Sequence, residues 1–330
     1  MATYKGVKGF TIQTIAGDPP APALGQVWYN TTSNVLKGFL SAAGAWSAGG
    51  EMNHATRQQQ GAGTQTAGLN IGGYNTPGEP HSAVWTEKYD GTSWTEVNSL
   101  NDARYAGMGC GTQTAAMTAT GNYPGGYVVQ TETYDGTSWT ESGEVLVARA
   151  DTQGCGTSTA ALMCGGTPPS IRRNTSIFNG STWSDTNSLV ADAVGSNCIG
   201  TTTAAICAGG GGPPGGSDRT ESWNGSSWSE VNDLNTARRG AGSSGISTAG
   251  IFVSGWTSPD TASPYVEQWD GTCWTEVGDV ANATAFLIGA SNAPSSLSMV
   301  FGGDPPSAGD TVATEEWNAS PEAVITFTSS

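Results

Sequence analysis

The chain has 330 residues and carries 12 Lys and Arg against 28 Asp and Glu, a formal net charge of −16, so a phosphate backbone would be repelled and no nucleic-acid partner is expected. Gly is abundant at 48 residues, only 12% of positions are charged, and no long run has helical periodicity, which predicts an all-β chain of short strands and turns. No apolar stretch reaches the ~20 residues of a bilayer crossing, and the opening MATYKGVKGFTIQTIAGDPP lacks the apolar core of a secretory signal; the expectation is a protein made in a cytoplasm, without membrane insertion.

Residues 1–44 stand apart from the rest as an N-terminal arm and β-hairpin. GDPPAPALGQVWYNTTSNVLKGF reads as a Pro-rich arm, a strand, a turn at Thr31–Asn34 and a second strand. Gly25, Trp28, Tyr29, Asn30, Thr32, Ser33, Leu36 and Lys37 together resemble the G-x-x-W-Y-N-x-T-S-x-x-L-K hairpin of bacteriophage tail-fibre and virion proteins. The resemblance implies attachment to a particle through this segment, with Trp28, Tyr29 and Leu36 as the candidate attachment residues.

From residue 45 onward the chain repeats. Trp94, Trp139, Trp183, Trp228 and Trp274 follow one another at intervals of 45, 44, 45 and 46 residues, a propeller-blade period. Each unit runs from an Ala-Arg entry through a Gly-Thr, an apolar run ending in Gly-Gly, a variable Gly/Pro loop and a Glu-x-aromatic strand to an Asp-Gly or Asn-Gly hairpin turn before the Trp. Such turns demand positive φ and are strong hairpin signals. Six units of four strands are expected, at roughly 52–99, 100–145, 146–188, 189–233, 234–279 and 280–330. The Gly-Gly, Glu-x-Tyr and Trp order resembles the kelch repeat, with Tyr134 to Trp139 one residue tighter, and implies a six-bladed kelch-like β-propeller over 45–330. GAWSAGGEMNHATR at 44–57 matches TSWTEVNSLNDAR at 92–104, so a strand around Trp46 is expected to complete the last blade. The C-terminal AVITFTSS competes for that place, and the sequence leaves the choice open. Trp46, Trp94, Trp139, Trp183, Trp228 and Trp274 are the expected wedges between blades.

Chemistry-bearing residues mostly fall on repeated positions, which argues for structure. Arg57, Arg104, Arg149 and Arg238 recur at the unit entry, Glu96, Glu141, Glu230 and Glu276 in the WTE segments, and Glu87, Glu132, Glu221, Glu267 and Glu315 two residues before the aromatic, where Ser176 is the exception. Carboxylates spread around a ring do not make a paired acid and base. His54 and His81 lack ligand spacing, so no metal, cofactor or catalytic residue is expected. The six cysteines form no CxxC pair and read as small buried core residues. GGGGPPGG at 209–216 lacks the Lys-Ser/Thr of a phosphate loop and reads as a flexible loop.

In an up-and-down blade the Asp-Gly turns line one face, and the loops between second and third strands line the other. Those loops differ from unit to unit, and variable loops on a rigid scaffold are where binding resides. The candidate binding residues are Tyr74, Tyr123, Tyr127, Arg172, Arg173, Arg219, Trp256 and Tyr265, because exposed aromatics beside Gly and Pro suit protein or glycan contacts. The expected function is a non-catalytic virion structural protein, held to other virion proteins through residues 1–44 and oligomeric in the particle. Its propeller is then a tail or capsid appendage for adsorption to a host glycan or protein, or for decoration. The alternatives are a carbohydrate-active propeller enzyme and an intracellular kelch-type interaction module.

Overall fold

A tight turn inside each Gly- and Ala-rich segment folds it into a hairpin, and each Asp-Gly or Asn-Gly folds the next. In the computed structural model, which describes residues 12–22, 26–41, 44–76, 81–211, 216–306, 309–319 and 322–327, two such hairpins join into a four-stranded meander. We letter the strands a to d in the order in which they pair. Blade 1 comprises Gln60–Thr64, Ala67–Ile71, Thr86–Tyr89 and Trp94–Val97; blade 2 comprises Met108–Thr112, Ala115–Ala119, Thr131–Tyr134 and Trp139–Ser142. Blade 3 comprises Gln153–Thr157, Ala160–Cys164, Thr175–Phe178 and Trp183–Thr186; blade 4 comprises Asn197–Gly200, Ala205–Ala208, Thr220–Trp223 and Trp228–Glu230. Blade 5 comprises Gly242–Ile246, Ala249–Val253, Val266–Trp269 and Trp274–Val277. Blade 6 takes Ile288–Gly289, Leu297–Phe301 and Thr314–Asn318 as strands a to c, and Ala45–Ala48 supplies its strand d.

Each strand a packs on strand a of the next blade, and that of blade 6 on that of blade 1, so the a strands line a closed ring. Backbones approach closely there. A Cβ added to Gly61 would stand 2.4 Å from the carbonyl oxygen of Gly289, which explains the small residues of these strands.

The recurring Trp is the joint between blades. The indole N–H of Trp139 donates to the Thr86 hydroxyl of the preceding blade at 3.0 Å, and Trp94, Trp183, Trp228 and Trp274 repeat the bond to Thr314, Thr131, Thr175 and Thr220. All five rings are buried, so each indole fills the wedge while its one polar atom is satisfied. Trp46 differs because strand c of blade 5 starts with Val266 and offers no hydroxyl; its N–H donates to the Gly278 carbonyl at 2.9 Å. Across each Asp-Gly turn the Trp faces an aromatic partner, as in Tyr134 and Trp139, with centroids 4.9 Å apart. Gly-Gly at the end of strand b places its first residue at φ near +60°; Thr120 and Ser254 adopt the same left-handed conformation in blades 2 and 5, where the first Gly is missing.

The chain divides into two compact units, one spanning Trp46–Asn318 and the other holding the N-terminal strands and the C-terminal strand. In the second unit, Gln13–Ile15 pairs parallel with Val27–Asn30, which forms the expected hairpin with Val35–Ser41, and Glu322–Phe327 adds antiparallel along Val35–Ser41. The competition for blade 6 is thus settled: the Trp46 strand closes the ring and the C-terminal strand pairs with the hairpin, so residues 319–330 leave the last unit.

The hairpin motif has a local physical reason. Trp28 Nε1, Asn30 Nδ2 and Lys37 Nζ converge on the Asp18 carboxylate at 3.2, 2.7 and 2.8 Å, while Asn30 Oδ1 accepts the Thr32 and Ser33 amides to shape the turn. Three bonds to the charged form hold the Asp18 carboxyl below its ordinary range, the bond from Lys37 contributing most.

Candidate functional site at the channel mouth

The residue that turns the chain into each strand a takes a left-handed conformation: Gln58, Ala106, Asp151, Gly195, Gly240 and Phe286, with φ between 51° and 62°. Their backbones form a ring of hydrogen bonds. Gln58 N donates to Phe286 O, Phe286 N to Gly240 O, Gly240 N to Gly195 O, Gly195 N to Asp151 O, and Ala106 N to Gln58 O, at 2.7 to 3.1 Å. Thr152 N closes the ring to Ala106 O at 3.4 Å. This collar narrows the axis to a cavity of about 30 Å³, room for water and too small for a sugar ring.

The backbone of the collar repeats, but its side chains do not. Gln58, Asp151 and Phe286 reach the cavity between Ala106, Gly195 and Gly240. The Gln58 amide donates to Asp151 Oδ1 at 3.3 Å and the Thr167 hydroxyl to Asp151 Oδ2 at 3.1 Å. Burial pushes the Asp151 carboxyl above its ordinary value, opposed by the Thr167 bond and the Arg239 charge. A carboxyl surrounded by fixed dipoles can bind water or a hydrogen-bonding group, and among the described residues no second acid lines its cavity.

Two cation–π units flank the mouth. Arg57 lies 4.7 Å from the Tyr74 ring centre and Arg239 lies 4.6 Å from that of Trp256, and Trp256 in turn packs edge-on against Phe286 at 4.8 Å. Tyr105 meets Tyr74 edge-on at 5.1 Å and accepts a bond from Asn122. Arg57 is also paired with Asp304 at 2.8 Å.

Of the sequence candidates, the structure brings Tyr74 and Trp256 to this rim. Tyr123 and Tyr127 are exposed on a two-residue hairpin in the loop of blade 2, and Tyr265 is exposed in blade 5. Arg172 and Arg173 pair with Asp192, at 3.7 and 2.8 Å, and Arg219 pairs with Glu230, so these three are engaged in surface ion pairs. Parts of the loops at 74–81, 211–219 and 304–310 lie outside the described residues, as does Gly25 of the hairpin motif. Trp28 is fully buried on Asp18 and holds its own sheet together, so it offers no attachment surface, while its neighbours Tyr29 and Leu36, paired across the hairpin, stay half-buried on the other face.

Two sequence groupings need correction. Arg104, Arg149 and Arg238 are buried, and two of them pair with Glu132 and Glu267, as repeated structural residues should; Arg57 sits one register later, in line with Tyr105 and Arg239 at the rim. The cysteines are not all buried thiols, because Cys273 is exposed and Cys198 and Cys207, directly opposed across strands a and b of blade 4, are disulfide-bonded. Residues the sequence did not single out are Gln58, Tyr105, Asp151, Arg239 and Phe286. The available signal was that the position before strand a carries Gln, Ala, Asp, Gly, Gly and Phe in turn, unlike residues at one register of a faithful repeat.

No family model and no curated protein matches the sequence. Among solved structures the chain is similar to that described as the structure of YjhT, with a TM-score of 0.67 at 12% identity over 84% of this chain and 99% of that one. At that identity the likeness carries the fold, a β-propeller, in agreement with the ring of four-stranded blades.

Proposed function

We propose that the protein is a non-catalytic structural component of a bacteriophage particle, in which the N-terminal hairpin unit attaches to other virion proteins and the propeller is displayed as a tail or capsid appendage. The observation that carries the reading is the hairpin unit: Trp28, Asn30 and Lys37 of the virion-type motif are all consumed by Asp18, and Tyr29 with Leu36 remain on the half-open face for a partner. The rim of unlike loops, with Tyr74, Trp256, Tyr123, Tyr127 and Tyr265, then meets a host surface glycan or protein, or decorates the particle. Several copies per particle multiply a weak single contact.

The test is incorporation. A chain lacking residues 1–44 and 319–330 retains Trp46 and the whole ring, so it is expected to give the circular dichroism and cooperative melting of a folded β protein yet to be absent from purified particles. Normal incorporation of that chain would sink the attachment reading.

A further inference from the structure

We propose that Cys164, Cys198 and Cys207, when reduced, form a three-sulfur site for one thiophilic divalent cation of the zinc type, placed at the junction of blades 3 and 4. Among the described residues theirs is the group whose metal-ligating atoms converge, with the three sulfurs within 4.8 Å of one another and all three residues buried. Cys164 Sγ stands 2.8 Å from Cys198 Sγ and 3.0 Å from Cys207 Sγ. The sulfurs come from strand b of blade 3 and strands a and b of blade 4, and they form a triangle that one ion can cap.

The repeat is broken at these positions. The register of Cys198 holds Gly61, Gly109 and Gly154 in blades 1 to 3, where a Cβ at Gly154 would come within 2.6 Å of Leu162 O and Met108 Cε. The register of Cys207 holds Asn70, Thr118 and Met163. Residues repeated around the ring serve the ring; a cluster at one junction alone serves something local.

A second observation is electrostatic. Arg104 satisfies its guanidinium on Asp102 O, Gln130 O and Glu132. Arg149, equally buried, has Ser176 where Glu would stand; Nη2 donates to Ser176 Oγ at 2.7 Å and lies 4.0 Å from Asp185, while Nε and Nη1 have no acceptor. The Arg149 charge acts on Cys164. Three thiolates on one divalent cation leave a single negative charge beside the under-satisfied Arg149 cation. A cavity of about 20 Å³, lined by Ser196, Cys207, Arg219 and Glu221, adjoins Cys207 and is large enough for one water.

Loading requires that the Cys198–Cys207 disulfide be opened. The S–S bond takes up two electrons and two protons, either from two thiols that become a disulfide or from a phosphine and one water, the phosphine leaving as its oxide with the water's oxygen and the water's protons going to the two sulfurs; the three thiols then release three protons as three metal–sulfur bonds form.

The experiment titrates the full chain, reduced with a phosphine, with Cd²⁺ and then with Zn²⁺. One equivalent of Cd²⁺ is expected to bind with a near-ultraviolet thiolate-to-metal absorption that Cys164→Ser and Cys207→Ser lose and Cys110→Ser keeps, and Zn²⁺ is expected to compete for the site. X-ray absorption on the unsubstituted, metal-loaded chain is expected to count three sulfurs around the ion, a readout independent of how well the variants fold. No thiolate absorption, an absorption unchanged in Cys164→Ser, or an ion surrounded by oxygen and nitrogen would overturn the proposal.

Discussion

The backbone N–H of Gln58 donates to the carbonyl oxygen of Phe286 across 2.9 Å, and through that bond the first blade meets the sixth at the channel mouth. The collar it belongs to explains why four non-glycine residues accept a left-handed backbone: the amides of Gln58, Ala106 and Phe286 each reach the carbonyl of a neighbouring blade, and at Asp151 the amide of the next residue, Thr152, does so.

Glycines of the collar differ in what surrounds them. A Cβ on Gly195 meets nothing closer than 3.8 Å, whereas one on Gly240 would lie 2.7 Å from the Phe286 ring. Gly195→Ala is expected to lose about 1–2 kcal/mol for the left-handed backbone alone. Gly240→Ala is expected to lose more, with the ring displaced, and thermal melting of the two variants side by side checks the order.

Asp151 is expected to oppose folding when ionised. Its carboxyl is raised in the folded chain from an ordinary value of 3.8, so folding favours the protonated form, and that contribution is lost as pH rises through the folded value. Asp151→Asn is therefore expected to raise the melting temperature at neutral pH, with the gain vanishing as pH falls below 3.8. Asn also tolerates the left-handed backbone at this position. Melting curves from neutral to acid pH supply the comparison; a loss at pH 7 would show that the ionised carboxylate is needed.

The hairpin turns have the opposite sign. Asp135 accepts the Ser138 and Thr137 amides at 2.8 Å each, which holds its carboxyl below 3.8. Its contribution is present above that value and fades as pH falls through the folded one. Asn179 and Asn224 make the same turn bonds in blades 3 and 4 without a charge. Asp135→Asn is thus expected to leave stability near neutrality almost unchanged and to blunt the fall in acid, as read from melting temperature against pH.

How far the sequence carries a reader depends on whether a feature is local. The Trp period and the Asp-Gly turns announced the blades because tight turns and alternating strands are short-range chemistry. Ring closure was not legible: Trp46 and the C-terminal segment both look like a last strand, and the choice rests on pairings more than two hundred residues apart in the chain, such as Gly49 N on Thr314 O. Tyr74 and Trp256, which pack at the rim, stood out in the sequence because they lie on variable loops. Asp151 and Phe286 were not, since the turn before strand a looks like part of a link until its backbone closes the collar. The three converging cysteines sit at unlike registers, so alignment of the units hides them.

Trp139→Ala is expected to cost about 3–5 kcal/mol, the range for large-to-small core changes. It empties the wedge beside Tyr134 and orphans the Thr86 hydroxyl of blade 1. Chemical denaturation is the check, and an unmoved midpoint would mean that the recurring Trp does not join the blades.

Electron microscopy of purified particles carrying a compact tag in the blade 2 loop, between Tyr123 and Tyr127, tests the appendage role most directly. The expected result is tag density on disks that project from the particle, lost when residues 1–44 and 319–330 are removed. Particles that are complete, infective and free of tag density while the tagged protein stays soluble in the lysate would contradict it.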